Sequence, residues 1–349
     1  MQVFRILDHL RHTATGLDGL PAWFLRLGAP AFAAPIAELF NQSLTTSTVP
    51  QQWKIAIITP IPKVTHPSLS SHFRPISITP VLSRLMERYI ARTFIYPALL
   101  KPPPELHFKD QFAFIPTGST TAAIIAILQA ITDMLICHPY VHLIALDFSK
   151  AFDTVRHSTL LEKLAKLNIP DEAYNWLKNF FDGHSHCTQF AGDISTIVGI
   201  LASVIQGSAI GPVSYVVNTS DLHTIKPDNK LFKFADDTYL LVPSVNSHTC
   251  ESEIDHVNDW AVTNNLGLNQ SKSLEMVITA PGTRGANART LPPPTLHVVE
   301  RVSSLTMLGV TINDKLSADE HVTDTIAACS KSLYALRVLR AHSMPTQAL

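Results

Sequence analysis

Asp236 and Asp237 stand side by side inside Leu231-Phe232-Lys233-Phe234-Ala235-Asp236-Asp237-Thr238-Tyr239-Leu240-Leu241-Val242. Two apolar runs of strand type flank them, which predicts a β-hairpin with both aspartates at its tip. Asp is a poor strand former, and adjacent like charges repel. Such a pair between two buried strands calls for a cation. A second acidic strand end lies upstream, in Val141-His142-Leu143-Ile144-Ala145-Leu146-Asp147. Bringing Asp147 beside Asp236 and Asp237 makes a hard, oxygen-only site of the kind that holds Mg²⁺ together with phosphate oxygens. Two such ions about 3.5–4 Å apart drive nucleotidyl transfer. Gathering these carboxylates without metal is unfavourable and should raise their pKa values. An isolated Asp-Asp pair is ordinarily a turn, and an Asp closing an apolar strand is common. The order of the surrounding blocks decides between these readings.

Those blocks run Thr15-Gly16-Leu17-Asp18-Gly19-Leu20-Pro21, Val49-Pro50-Gln51-Gln52-Trp53-Lys54, Pro60-Ile61-Pro62-Lys63 and Phe73-Arg74-Pro75-Ile76-Ser77. Gln111-Phe112-Ala113-Phe114, Ala145-Leu146-Asp147-Phe148-Ser149-Lys150-Ala151-Phe152-Asp153-Thr154-Val155 and Gln206-Gly207-Ser208-Ala209-Ile210-Gly211-Pro212 follow. After the Phe-Ala-Asp-Asp box come Leu268-Asn269-Gln270-Ser271-Lys272-Ser273 and Leu305-Thr306-Met307-Leu308-Gly309-Val310. In content and order this set resembles the reverse transcriptases of non-long-terminal-repeat (LINE-type) retrotransposons, from about Gly16 onward. The chain departs from many relatives at Ile205, where they have Pro, and at Ile115, where they have Arg.

The resemblance implies a right-hand polymerase: fingers in 1–135, a palm in 136–290, and the primer grip with the start of a thumb in 291–349. It implies an RNA-directed DNA polymerase that joins deoxynucleoside triphosphates to a DNA primer on an RNA template. Such an enzyme copies its element's RNA from a nicked chromosomal end. Asp147 and Asp236 would bridge two Mg²⁺ ions, with Mn²⁺ as a substitute; Asp237 is the second acid of the box, and the Phe148 carbonyl completes one ion's ligands. Lys63 and Arg74 would meet the triphosphate, Gln206 and Gly207 the incoming sugar or base, Phe152 the ribose, and Lys272 the departing pyrophosphate. Outside the motif context, each of the three cations reads as an ordinary surface charge. The alternative is a decayed or domesticated copy that binds nucleic acid without polymerising. A group II intron maturase or a telomerase shares the palm, but the Ala-Phe-Asp-Thr-Val and primer-grip blocks fit the LINE type better.

Composition sets limits. The 349 residues are 46% hydrophobic and only 16% charged, enough for a large core. Cys137, Cys187, Cys250 and Cys329 lie far apart, which predicts reduced and mostly buried thiols. His184-Ser185-His186-Cys187 suits a turn after Gly183 better than a metal cluster. The apolar stretch from Thr121 to Ile136 is interrupted by Gln129, Thr132 and Asp133 and reads as too short to span a membrane. No signal peptide is visible, so an intracellular protein is expected, nuclear by the resemblance. A net charge of −1 is a poor footprint for holding nucleic acid. Either the basic residues are concentrated on one face or basic parts lie outside the chain; the second is favoured, because by the resemblance the chain reads as truncated at both ends.

The elements that must position these residues follow from periodicity. Thr120 to Leu135 is helical, with Ile124, Ile127, Leu128 and Ile131 on one face. Pro30 and Pro35 interrupt an earlier helical region. Thr159-Leu160-Leu161-Glu162 has capping-box form, and Asp171 is placed to cap the next helix. Cys187 to Val198 reads as a hairpin around Gly192-Asp193, Ala209 to Leu222 as a helix, and Asp319 to Arg340 as another. Antiparallel hairpins interleaved with helices give an α+β fold: an antiparallel sheet backed by helices.

Overall fold

The computed structural model describes residues 2–205, 207–279 and 293–345. Its helices are α1 (Gln2–Asp8), α2 (Ala22–Leu27), α3 (Ala29–Thr45), α4 (Val81–Ile90), α5 (Tyr96–Leu99), α6 (Thr120–Cys137), α7 (Ala151–Thr154), α8 (His157–Leu164), α9 (Asp171–Phe181), α10 (Gly211–Asn218), α11 (Cys250–Thr263) and α12 (Asp319–Ala341). The strands are β1 (Ile55–Pro62), β2 (Phe73–Ile78), β3 (Tyr140–Leu146), β4 (Phe148–Ser149), β5 (Ser185–Phe190), β6 (Asp193–Ile194), β7 (Val198–Gly199), β8 (Lys230–Phe234), β9 (Asp237–Pro243), β10 (Gly267–Leu268), β11 (Leu274–Thr279), β12 (Glu300–Arg301), β13 (Ser304–Met307) and β14 (Val310–Asn313). The chain divides into two compact units. The first holds 1–118, 148–223 and 257–268; the second holds 119–147, 224–256 and 269–349.

The second unit is built on a five-stranded sheet in the order β12-β11-β3-β9-β8. Strands β3 and β9 are buried nearly end to end, so they read as continuous apolar runs rather than alternating ones. Helix α6 covers the sheet. Its Ile127, Ala130, Ile131 and Met134 pack with Leu143, Leu241 and Met276 in one core cluster. Ser119 caps α6 by accepting the Ala122 N–H at 3.0 Å. The helix runs to Cys137, eighteen residues, and is by length and composition alone long enough to cross a membrane. About a third of it is buried in the core, while Ile125 and Ile136 are exposed.

The α+β palm expected from sequence is therefore present, with one change. The sheet is not wholly antiparallel, because β11 and β12 run parallel. The first unit also mixes directions. Its sheet runs β2-β1-β5-β6, with β7 also on β5, and β1 pairs β5 in parallel. Parallel partners come from distant sequence, and no turn signal announces them.

Local expectations are corrected in four places. Helix α3 runs through Pro35, which bends no break into it, while Pro30 sits in the first turn where its missing N–H costs nothing. Helix α8 starts at His157, so Thr159 lies inside the first turn and does not cap. Asp171 is the first helical residue of α9, after Pro170, and acts on the helix dipole instead. The 185–194 hairpin turns on Ala191-Gly192, both with positive φ (52° and 95°), one residue before the expected pair. Of the cysteines, Cys187 and Cys250 are buried, but Cys137 and Cys329 are exposed. His184 is not in a turn: it precedes β5, fully buried, and burial lowers its pKa to about 4.

Candidate active site

The acidic hairpin is the β8–β9 pair. Phe234 faces Asp237 across it, leaving Ala235-Asp236 as a two-residue turn. Asp237 thus opens β9 rather than sharing the tip. Ala235 holds φ +57°, a left-handed conformation that costs a residue with a Cβ about 1–2 kcal/mol. Strain of this kind persists where the surrounding structure imposes it. Strand β3 pairs with β9 so that Leu146 faces Thr238. The next residue, Asp147, therefore emerges opposite Asp237. Three carboxylates from distant sequence gather at one end of two paired strands.

Their electrostatics agree. Asp237 has its pKa raised to about 6, first by desolvation, then by the negative charges of Asp236 and Asp147. Asp237 as a whole is exposed, so water screens part of this repulsion. The main chain of Asp147 is held on both sides by one turn. Asn269 donates its N–H to the Asp147 carbonyl at 2.7 Å. The Asp147 N–H donates to the Ser273 hydroxyl at 3.3 Å, and that hydroxyl donates to the Asn269 carbonyl at 2.9 Å. Lys272 sits on this turn, exposed.

Behind the acids, β3 and β11 are locked by a buried ionic network. Glu275 on β11 accepts from His142 Nδ1 at 2.6 Å and from two Arg301 nitrogens at 2.7 and 3.0 Å. Burial opposes its charge, but the hydrogen bonds from His142 and Arg301 outweigh burial and keep its pKa below the ordinary value. Breaking such a network at one partner leaves a buried charge unpaired, typically about 3–5 kcal/mol.

The remaining sequence-derived residues belong to the first unit, except Lys272. Lys63 and Arg74 lie at the same end of the β1–β2 hairpin. Ile61 faces Arg74, and the Lys63 N–H donates to the His72 carbonyl at 2.8 Å. Both side chains are exposed. Phe148 is buried, its ring 6.1 Å from that of Trp260. Phe152, partly exposed, stacks on Tyr215 with centroids 4.5 Å apart and also meets Phe114 edge-on. Gln206 lies outside the described residues. Gly207 has φ +122°, and an added Cβ would stand 2.1 Å from the Ser77 carbonyl oxygen, so only glycine fits.

Sequence reasoning passed over the groups that hold these motifs. The Ser208 hydroxyl accepts the N–H groups of Ile210 and Gly211, where α10 begins, at 3.1 and 3.3 Å. Glu87, buried on α4, accepts the Ser208 hydroxyl and the Ala209 N–H. Nothing in the sequence links Glu87 to Ser208. A glutamate at a buried helix position, flanked by Met86 and Ile90, was the available sign.

Among the described residues, no three His, Cys, Asp or Glu side chains form a ready-made metal cage. The acids nevertheless suit Mg²⁺. That ion takes one or two carboxylates and keeps its other positions for water and phosphate oxygens. Burial is the first cause of the raised Asp237 pKa, and the charges of Asp236 and Asp147, which a cation would offset, add to it.

A palm sheet whose paired strands end in three carboxylates defines the right-hand polymerase class. Residues 61–312 match the family model described as reverse transcriptase (RNA-dependent DNA polymerase). The chain belongs to that family, whose members depend on divalent metal and copy RNA. It is 29% identical over 302 residues to the probable RNA-directed DNA polymerase from transposon X-element of Drosophila melanogaster, covering 83% of this chain and 32% of that protein. It is 28% identical to the RNA-directed DNA polymerase from mobile element jockey of the same organism, covering 89% and 34%. The chain spans about a third of the length of these curated relatives. These relatives agree with the resemblance to the non-long-terminal-repeat type. Among solved structures, a telomerase from Candida tropicalis in complex with a fragment of telomeric RNA aligns with TM-score 0.54 and 14% identity, over 82% of this chain and 48% of that one. At that identity the likeness concerns the fold alone.

Proposed function

We propose that this chain is the RNA-directed DNA polymerase part of a non-long-terminal-repeat retrotransposon protein. It would extend a DNA primer with deoxynucleoside triphosphates on an RNA template. The observation that carries this reading is the meeting of Asp147, Asp236 and Asp237 at the paired ends of β3 and β9, with Asp237 driven toward its neutral form. Two Mg²⁺ ions, replaceable by Mn²⁺, would be held by Asp147 and Asp236, with Asp237 beside them and the Phe148 carbonyl on one ion, and would lower the primer hydroxyl's pKa and neutralise the pyrophosphate.

The chain's own groups then have distinct tasks. Asp147 and Asp236 place negative charge where the cations must sit. The Asn269–Ser273 turn fixes Asp147 by its backbone, and Ala235 in its strained turn aims Asp236. Lys63 and Arg74 balance the triphosphate, Arg74 with a planar fork that can bind two oxygens. Gly207 lets main chain approach the nucleotide, with Gln206 beside it in sequence. Phe152 excludes a 2′-hydroxyl, and Lys272 meets the leaving pyrophosphate. In this reading 1–135 form fingers, 136–290 the palm and 291–349 the primer grip and the beginning of a thumb. A polymerase that starts from nicked chromosomal DNA works in the nucleus.

Primer extension on an RNA template with Mg²⁺, wild type beside Asp236→Ala, tests the reading. Extension by the wild type alone supports it. RNA binding without extension by a folded wild type would instead support the decayed or domesticated copy.

A further inference from the structure

The net charge of the chain is −1, yet its first unit gathers arginine along one helix. Arg84, Arg88 and Arg92 recur at every fourth residue of α4 and of the π-helical turn Ala91–Ile95 that continues it. Four helical residues rise about 6 Å, close to one phosphate step of an extended strand. A π-helical turn inside a helix often marks a functional site. Arg88 and Arg92 are exposed and line two cavities in common. The larger, about 790 Å³, also has Arg5, His9 and Tyr89 in its wall. The smaller, about 320 Å³, has Arg84, Tyr96 and the main chain at Gly207.

Among the described residues, none of the three helix arginines forms an ion pair. Arg84 donates from one terminal nitrogen to the Ala14 carbonyl at 2.5 Å, and its buried Nε has no partner among the described residues. Glu87, the acid on the same helix, is buried and occupied by Ser83, Ser208 and Ala209. Asp18 is the other acid that acts on Arg84. Exposed Arg88 and Arg92 interleaved with Tyr89 and Tyr96 match a surface that tracks phosphates and stacks bases. An acidic protein segment would use the charges but not the rings.

We propose that this arginine trough binds the phosphodiester backbone of a single-stranded polynucleotide. It deepens the polymerase reading and rests on it for the identity of the strand, which would be the nucleic-acid substrate.

The test is fluorescence anisotropy of an oligouridylate of about sixteen nucleotides against wild type and Arg88→Ala/Arg92→Ala, over a series of salt concentrations. Both positions are exposed, and a melting curve checks that the fold is kept. Two lost phosphate contacts at about 0.7 each should lower the slope of log affinity against log salt by about 1.4, with affinity falling at least about tenfold. Arg88→Lys/Arg92→Lys should keep most of the slope. Equal affinity and slope for wild type and the alanine variant overturn the proposal, as does absence of RNA binding by wild type. Loss of polyglutamate binding with RNA binding intact also overturns it, in favour of an acidic protein partner. Primer extension on the same proteins separates the two readings. A wild type that binds RNA through these arginines but extends nothing loses the polymerase and keeps the trough. One that extends primers while the alanine variant binds RNA unchanged loses the trough and keeps the polymerase.

Discussion

Asn269 donates its amide to the main-chain carbonyl of Asp147 at 2.7 Å. The turn carrying Lys272 therefore holds the first acid by its backbone. Ser273 closes the other side through its hydroxyl. Ser273→Ala removes one acceptor and one donor from a buried position, a loss of about 1 kcal/mol in stability. We predict that kcat for primer extension falls about three- to tenfold, a barrier change of similar size, while RNA affinity stays the same. A parallel fall in RNA affinity would mean that the turn supports the fold generally and not Asp147 in particular.

Asp237 sets the behaviour of the metal-free protein with pH. Its folded pKa, near 6, lies above the ordinary value of 3.8. Between these values the folded state binds more protons than the unfolded one. Its contribution to stability should thus be fully present below about pH 4, decline as pH rises through 6, and level off above it. Asp237→Asn should flatten this decline and raise the neutral-pH Tm of metal-free protein. Added Mg²⁺ should stabilise wild type more than the variant. An unchanged pH profile in Asp237→Asn would remove the charge repulsion from the account.

Gly207→Ala places a Cβ against the Ser77 carbonyl and demands a backbone angle that alanine avoids. The expected cost is on the order of 1–3 kcal/mol, read as a lower Tm, together with a rise in KM for deoxynucleotides. A variant with wild-type Tm and KM would show that this loop accommodates a side chain freely.

Phe152 stacks on Tyr215 and meets Phe114, yet stays partly exposed. Phe152→Val should raise ribonucleotide use relative to deoxynucleotide by at least about tenfold, or roughly 1.4 kcal/mol. The two kcat/KM values, with a melting curve alongside, decide the matter. An unchanged ratio with a lower Tm would leave Phe152 a core residue only.

What the sequence makes legible here is what is local or periodic. Asp147 ends an apolar run, and Asp236-Asp237 interrupts another, so strand ends and acid content can be read directly. Helix α6 is legible from its spacing. The partners that hold the site are not. Glu87 meets Ser208 from far along the chain, and Ser273 meets Asp147, through single hydrogen bonds with no sequence period. The caps expected at Thr159 and Asp171 are absent because Arg156 and Pro170 occupy the capping positions without side-chain bonds. The arginine trough was hidden by a net charge summed over the whole chain. Spacing along α4 reveals it only once that helix is known to be continuous with the π-helical turn.

The central claim is that Asp147 acts as a metal-holding acid and not merely as a strand end. The direct measurement is single-nucleotide extension on an RNA template with Mg²⁺ by Asp147→Ala, beside Asp153→Ala and wild type, each shown by melting to be folded. Asp153 lies on α7, beyond the turn that leaves the catalytic strand. The account predicts that Asp147→Ala abolishes extension, that Asp236→Ala does the same, and that Asp153→Ala is milder. A folded Asp147→Ala protein that extends a primer at the wild-type rate would contradict it.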